Sequence, residues 1–143
     1  MDATYYYNLA YDQSNEKNWE ASVNNFDKAQ ELDPQGKLVP LGYMYINRGN
    51  AYRGLGDFEK ALVDFNNALT IAPEHAAYIH QSRATAYQNL KRYQEAITDF
   101  EISTALFLNQ GDSKSHWMVT LQLDVLKVIM LNLLNEAKRN SNI

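Results

Sequence analysis

The spacing of Gly49, Tyr52, Phe58, Ala61, Phe65 and Ala68 constrains this chain more than any other feature of its sequence. The intervals of 3, 6, 3, 4 and 3 fit two helices broken by a tight turn at Gly54-Leu55-Gly56-Asp57, because residues three or four apart share a helix face. Glycine commonly ends helices and aspartate starts them, so this turn carries both a stop and a start signal. Gly49, Ala61 and Ala68 are small enough for two backbones to approach, while Tyr52, Phe58 and Phe65 fill the seam between them. Pro73 prevents the second helix from running on.

Shifted forward by 35 residues, the template falls on Ala84, Tyr87, Tyr93, Ala96, Phe100 and Ser103; shifted back by 39, it falls on Ala10, Gln13, Trp19, Ser22, Phe26, Ala29 and Pro34. A small residue, Tyr, Ala, Phe, Ala and Pro placed in this way along a helix-turn-helix resembles the tetratricopeptide repeat (TPR). The middle copy matches nearly completely. The first departs at Gln13 and Ser22, and the third has Leu108 where Pro is expected. The resemblance implies an all-α fold, a right-handed superhelix of three TPR helix-turn-helix repeats over about 3–36, 42–75 and 77–110, with a long C-terminal helix over about 113–140. The chain, 1–143, is then one domain, and three copies is about the minimum that buries a continuous core.

The hairpins are expected at Ala3–Gln13 with Trp19–Leu32, at a first helix ending near Gly54 with Phe58–Ile71, and at Glu74–Asn89 with Arg92–Leu108, closed by Gly111. The segment between Pro34 and Tyr43 accounts for the longer 39-residue interval, and Pro40 suits a first helical turn, which predicts a lengthened first helix in the second repeat. Consecutive Tyr5, Tyr6 and Tyr7 fan over about 200° of a helix. At least one therefore faces outward, as cover for the end of the stack or as a ligand contact. On the second repeat, Asp57, Glu59, Lys60, Asp64, Asn66 and Asn67 read as an ordinary solvated face.

Several function classes are disfavoured. A net charge of -4 with no run of Lys and Arg gives no attraction to phosphate backbones, so no nucleic acid is expected. There is no cysteine for a disulfide, a thiolate metal site or a nucleophile. His75 and His80 are five apart and do not form an i, i+4 metal pair, and His116 is distant, so no metal is expected. His80 reads as a partly buried packing residue. No phosphate-cradling glycine loop or nucleophile elbow occurs, so neither a cofactor nor enzyme activity is expected. The N-terminal stretch has no basic region or apolar core of signal-peptide type, and the expected localisation is cytoplasmic.

In the TPR family the first helix of each hairpin lines a concave groove, and the resemblance implies the residues that do so here. The repeat register stacks Thr4, Tyr43 and Tyr78; Tyr7, Ile46 and Gln81; Asn8, Asn47 and Ser82; Tyr11, Asn50 and Thr85; and Ser14, Arg53 and Gln88. Such a peptide-binding groove is aromatic and rich in amides, with Arg53 its one fixed charge; Asn and Gln offer donors and acceptors to an extended backbone. Family members that grip acidic chaperone tails use two lysines, two asparagines and an arginine. Here Asn47 matches, but Tyr7 and Tyr11 stand for the first Lys and Asn, and Tyr78 and Ser82 for the second Lys and the Arg. The expected function is a protein-interaction scaffold for a peptide or protein segment, an adaptor or assembly factor, rather than a co-chaperone of that type.

The last segment breaks from the repeat. From Trp117 to Leu134, 13 of 18 residues are apolar, with Asp124 and Lys127 inside the run. Each such charge near a bilayer centre costs roughly 2.5 to 3.5 kcal/mol, so the segment reads as a soluble helix and not a membrane span. Thr120, Asp124 and Lys127 form a narrow polar stripe on an otherwise wide apolar surface. One face is expected to cover Ile97, Phe100, Ile102 and Leu106 of the third repeat. A second strip, drawn from Met118, Leu121, Val125, Ile129 and Leu133, is expected to face water and join the chain to a copy of itself as a homodimer, the rival occupants being another protein or the chain's own groove.

Overall fold

The computed structural model describes residues 1–142, and the described residues form seven α-helices. They are α1 (Ala3–Asn15), α2 (Trp19–Leu32), α3 (Leu41–Leu55), α4 (Phe58–Ile71), α5 (Ala76–Asn89), α6 (Tyr93–Asn109) and α7 (Ser113–Ser141), with one 3-10 turn at Pro73–His75 before α5. Each odd helix packs on the next even one as a hairpin, and successive hairpins stack through α2 on α3 and α4 on α5. The result is the all-α superhelix of three hairpins, closed by α7 on α6.

Four turns share one geometry. Lys17, Gly56, Lys91 and Gly111 all have positive φ, between 59° and 87°. In each turn the next residue's N–H bonds back to a carbonyl in the last turn of the helix: Asn18 to Gln13, Asp57 to Tyr52, Arg92 to Tyr87 and Asp112 to Phe107, at 2.8 to 3.0 Å. This is the left-handed helix stop that glycine adopts without penalty. The two lysines adopt it against their own preference, held by the same hydrogen bond.

The core is three clusters in series. Phe26, Met44 and Val39 centre the first, Phe65 and Ile79 the second, and Phe100 with Val119 and Leu126 the last. Gly49 lies where α3 crosses α4: a Cβ there would come 2.8 Å from the Phe65 ring. The two departures from the repeat pattern in the first hairpin are polar pairs. The buried Ser22 hydroxyl donates to the Ala10 carbonyl at 2.7 Å, and Asn25 donates to Gln13 at 2.8 Å.

The segment before α3 differs from expectation. Residues 33–39 form a loop, and α3 begins at Leu41; at 15 residues it is longer than α1 (13) and α5 (14) by only one or two, so most of the extra chain goes into the loop. The buried Asp33 carboxylate accepts the backbone N–H groups of Lys37, Leu38 and Val39 at 2.7 to 2.9 Å. Those bonds, that from Val39 foremost, hold its carboxyl below the usual range. The satisfied loop backbone has no need of a helix.

The seams between hairpins hold buried charges, one of which, Asp64, the sequence reading assigned to solvent. Asp64 is 2% exposed and accepts from Arg48 at 2.8 and 2.9 Å, while the same guanidinium reaches Asp27 at 2.9 Å and Gln30. The reading of Asp64 as part of a solvated face is therefore corrected. One repeat later, Arg83 donates twice to the buried Asp99, at 2.6 and 2.7 Å, and reaches Asn66 at 2.7 Å. His80 sits 2.8 Å from the same carboxylate, so it hydrogen-bonds to this network as well as packing in the seam. Burial holds the Asp64 carboxyl above its usual range despite Arg48. Asp99 is also opposed by burial, but with both Arg83 and His80 as donors it lies below that range.

The first part of α7 packs on α6 through Val119, Leu123 and Leu126, against Phe100, Phe107 and Ile97. Ile102, expected beneath α7, is instead exposed, on a different side of α6 from that contact. Lys127 pairs with Glu101 of α6 at 3.0 Å. From Leu131 to Asn142 every residue is exposed. By length and composition alone α7 passes as a helix able to cross a membrane, with a mean hydropathy of 1.5 over its most apolar window.

Candidate peptide-binding groove

The inner faces of α1, α3 and α5 place most of the expected groove residues side by side. Tyr11, Tyr43 and Tyr78 are each nearly half exposed, at 44 to 47%. Tyr7 is more enclosed: its ring packs edge-on against Phe26 with centroids 5.6 Å apart, and its hydroxyl accepts a 2.6 Å hydrogen bond from Asn47. Burial raises the Tyr7 phenol above its ordinary range. Asn50 likewise donates to the Tyr78 hydroxyl at 3.1 Å. Each amide thus crosses from one helix to the next and fixes a ring of the neighbouring hairpin.

Two of the stacked positions do not belong to the groove. Ile46 is buried in the middle core cluster, and Ser82 is buried in the helix interface. Thr85 turns its hydroxyl to the Gln81 carbonyl of its own helix at 3.1 Å. Gln81 bonds across to Gln122 of α7 at 3.0 Å, and Gln88, half-buried, makes no such bridge among the described residues.

Two hollows open on this face. One, of about 260 Å³, is lined by Tyr11, Ser14, Asn15, Trp19, Asn47, Asn50, Arg53 and Tyr78. A second, of about 160 Å³, lies between Thr4, Tyr7, Asn8 and Tyr43 on one side and Leu38, Val39 and Pro40 on the other. The sequence reading missed Trp19, Asn15 and the 38–40 wall. Trp19 occupied an aromatic seam position in the repeat template, and the wall belongs to the insertion, which has no repeat counterpart. Tyr43 also stacks at a tilt on His75, 5.2 Å between centroids, at the mouth of a third hollow.

The expected oligomer strip is placed on the surface. Met118, Leu121, Val125, Ile129 and Leu133 are all exposed. At 100° per residue, Met118, Val125, Ile129 and Leu133 lie within about 60° of Gln122 around the helix. Because Gln122 is bonded to Gln81, the strip borders the groove and does not lie on the opposite side of the molecule. Among the described residues no group of three or more His, Cys, Asp or Glu side chains is arranged to hold a metal ion.

Stacked helical hairpins whose first helices line a polar, aromatic concave face define a repeat-scaffold class of protein. Tetratricopeptide repeat profiles match residues 43–75, and residues 3–35 and 77–106. The chain belongs to the tetratricopeptide repeat family. No curated protein matches the sequence. Among solved structures, the chain is similar to the TPR domain of Arabidopsis OM64, with 23% identity, a TM-score of 0.69, and 85% of this chain and 93% of that one covered. It is also similar to the first TPR of Spaghetti (RPAP3) bound to the HSP90 peptide SRMEEVD, with 18% identity, a TM-score of 0.74, and 91% and 94% covered. A third likeness is to PcrH in complex with the chaperone binding region of PopB, with 16% identity, a TM-score of 0.67, and 87% and 93% covered.

Proposed function

We propose that this protein is a non-catalytic scaffold that holds an extended segment of another protein along α1, α3 and α5. The observation that carries this is the exposed row of Tyr11, Tyr43 and Tyr78, with Asn47 and Asn50 bonded across the hairpins beside it. Rigid rings supply contact area at low entropic cost, and amides suit a peptide backbone. Two of the similar structures carry a bound peptide or binding region, which supports the same use of the fold here. The basic set that grips acidic chaperone tails is replaced by Tyr7, Tyr11, Tyr78 and Ser82, which disfavours a tail of that kind as the ligand.

The test is a selection of displayed random peptides on the full chain. Tyr43→Ala with Asn47→Ala is expected to weaken the selected peptides by about 2 kcal/mol, roughly thirtyfold, while the helical circular dichroism is retained. With one fixed charge in the groove, affinity is expected to change little between low and moderate salt. Peptides indifferent to the double change, or lost on modest addition of salt, count against the groove.

Self-association through α7 is a second function, favoured by the exposed strip of Met118, Leu121, Val125, Ile129 and Leu133. Packing of Val119, Leu123 and Leu126 on α6 and the Lys127–Glu101 pair favour a helix held against its own domain and not one in a bilayer. At roughly 25 cal/mol per Å² of apolar area, a few hundred Å² buried per subunit gives several kcal/mol before the entropic cost of association. Light scattering across a concentration series is expected to show a homodimer, and Leu121→Glu with Ile129→Glu a folded monomer. A wild-type mass of 16.4 kDa at every concentration would remove this function.

A further inference from the structure

Arg53 differs from the other arginines that sit partly inside the protein. Arg48 and Arg83 each hold a buried carboxylate. Arg53 is half-buried and has no ion pair and no side-chain hydrogen bond among the described residues. Burial lowers its pKa from the ordinary arginine value, with only the Tyr78 phenol acting against it. None of the residues lining its 260 Å³ hollow is acidic. Beside it, Asn50 spends its amide N–H on Tyr78 and leaves Oδ1 buried without a partner.

The hollow therefore presents an unmet demand. A half-buried guanidinium without a partner wants an anionic acceptor. A peptide segment bearing a carboxylate side chain supplies one to Arg53. Trp19 and Tyr11 flank the space where the side-chain stem would lie. One cation among neutral groups matches a singly charged carboxylate better than a doubly charged phosphate.

We propose that the hollow between α1, α3 and α5 is an acidic side-chain pocket, which seats one Asp or Glu of the bound segment on Arg53. The proposal rests on the groove reading and names the residue type that the groove selects. The segment runs on from Arg53 across α5 toward Gln122. Two helix-to-helix steps of about 10 Å each correspond to about six residues of extended chain.

The experiment uses random linear peptides displayed through their C-termini, so that the only free carboxylates are side chains, selected on wild type and on Arg53→Gln. Wild type is expected to enrich an Asp or Glu at one fixed position, and Arg53→Gln to lose that preference. In a synthetic copy of a selected peptide, replacing the acid by its amide is expected to weaken wild-type binding at least about tenfold and to leave binding to Arg53→Gln nearly unchanged. Arg53→Gln is expected to melt at or above the wild-type temperature, because it relieves an uncompensated charge. A clearly lower melting temperature would show Arg53 already spent on the fold and would overturn the pocket. Peptides that need Tyr43 and Asn47 but show no acidic preference, or that prefer a phosphorylated residue when one is offered, would overturn it and leave the groove standing. Peptides indifferent to Tyr43 and Asn47, or no enrichment at all, would overturn both.

Discussion

Arg48→Met is expected to destabilise the protein by about 3 kcal/mol, because it strands Asp64 in a seam where nothing else donates to it. The carboxylate is 2% exposed and both of its side-chain hydrogen bonds come from this one guanidinium. Asp27, the other carboxylate on Arg48, is much nearer water and loses little. A loss of that size corresponds to a drop of roughly 10 °C or more in melting temperature for a chain of this length. Adding Asp64→Leu to Arg48→Met is expected to recover most of the loss, since a buried pair replaced as a unit by apolar groups is often near neutral. Thermal and urea melts of the single and double variants decide it. A single variant that melts with wild type would mean that water reaches Asp64 and that the seam is open.

Gly49→Leu is expected to cost about 1 to 3 kcal/mol, the usual range for overpacking. Even a Cβ at this position would sit 2.8 Å from the Phe65 ring and 3.3 Å from the Asp64 Cβ. A leucine has to push α3 off α4 in the middle of the central cluster, and it disturbs the Arg48 network on the same seam. Ala61→Leu, at a fully buried position across the same hairpin, is expected to behave likewise. Melting temperatures equal to wild type for both would show that the helices do not cross where the spacing of small residues places them.

The hairpins were legible because their signal is periodic. Small and aromatic residues recur at helical spacing, and a turn with glycine and aspartate separates them, so α2 and α4 begin and end where the pattern places them. The 33–39 loop was not legible, since one aspartate capping three later N–H groups has no period. The buried Asp64 was misread for a related reason. A polar residue at the seam between hairpins looks the same as one on a solvated face when each helix is read alone. The signal lay in comparing repeats: Arg48 with Asp64 recurs as Arg83 with Asp99 at the same offset of 35, while the first repeat has Leu9 and Asn25 at both positions. The groove tyrosines followed from the register, but the Arg53 hollow did not. Its distinguishing property is a partner that is missing, and sequence does not display that.

The interhairpin arginines give the stack a direction. Arg48 reaches back to Asp27 on α2, and Arg83 reaches back to Asn66 on α4, the same position one repeat later. The next position in that series is Glu101 on α6, and Lys127 of α7 occupies it. Every junction thus joins a cation on an incoming helix to an acceptor on the outgoing edge of the hairpin before it, as plug to socket. At the front of the array the plug position is Leu9, which offers no charge, and at the rear the last socket is filled by α7. A further hairpin added by the same plug and socket would find no cation at Leu9 and an acceptor already paired at Glu101.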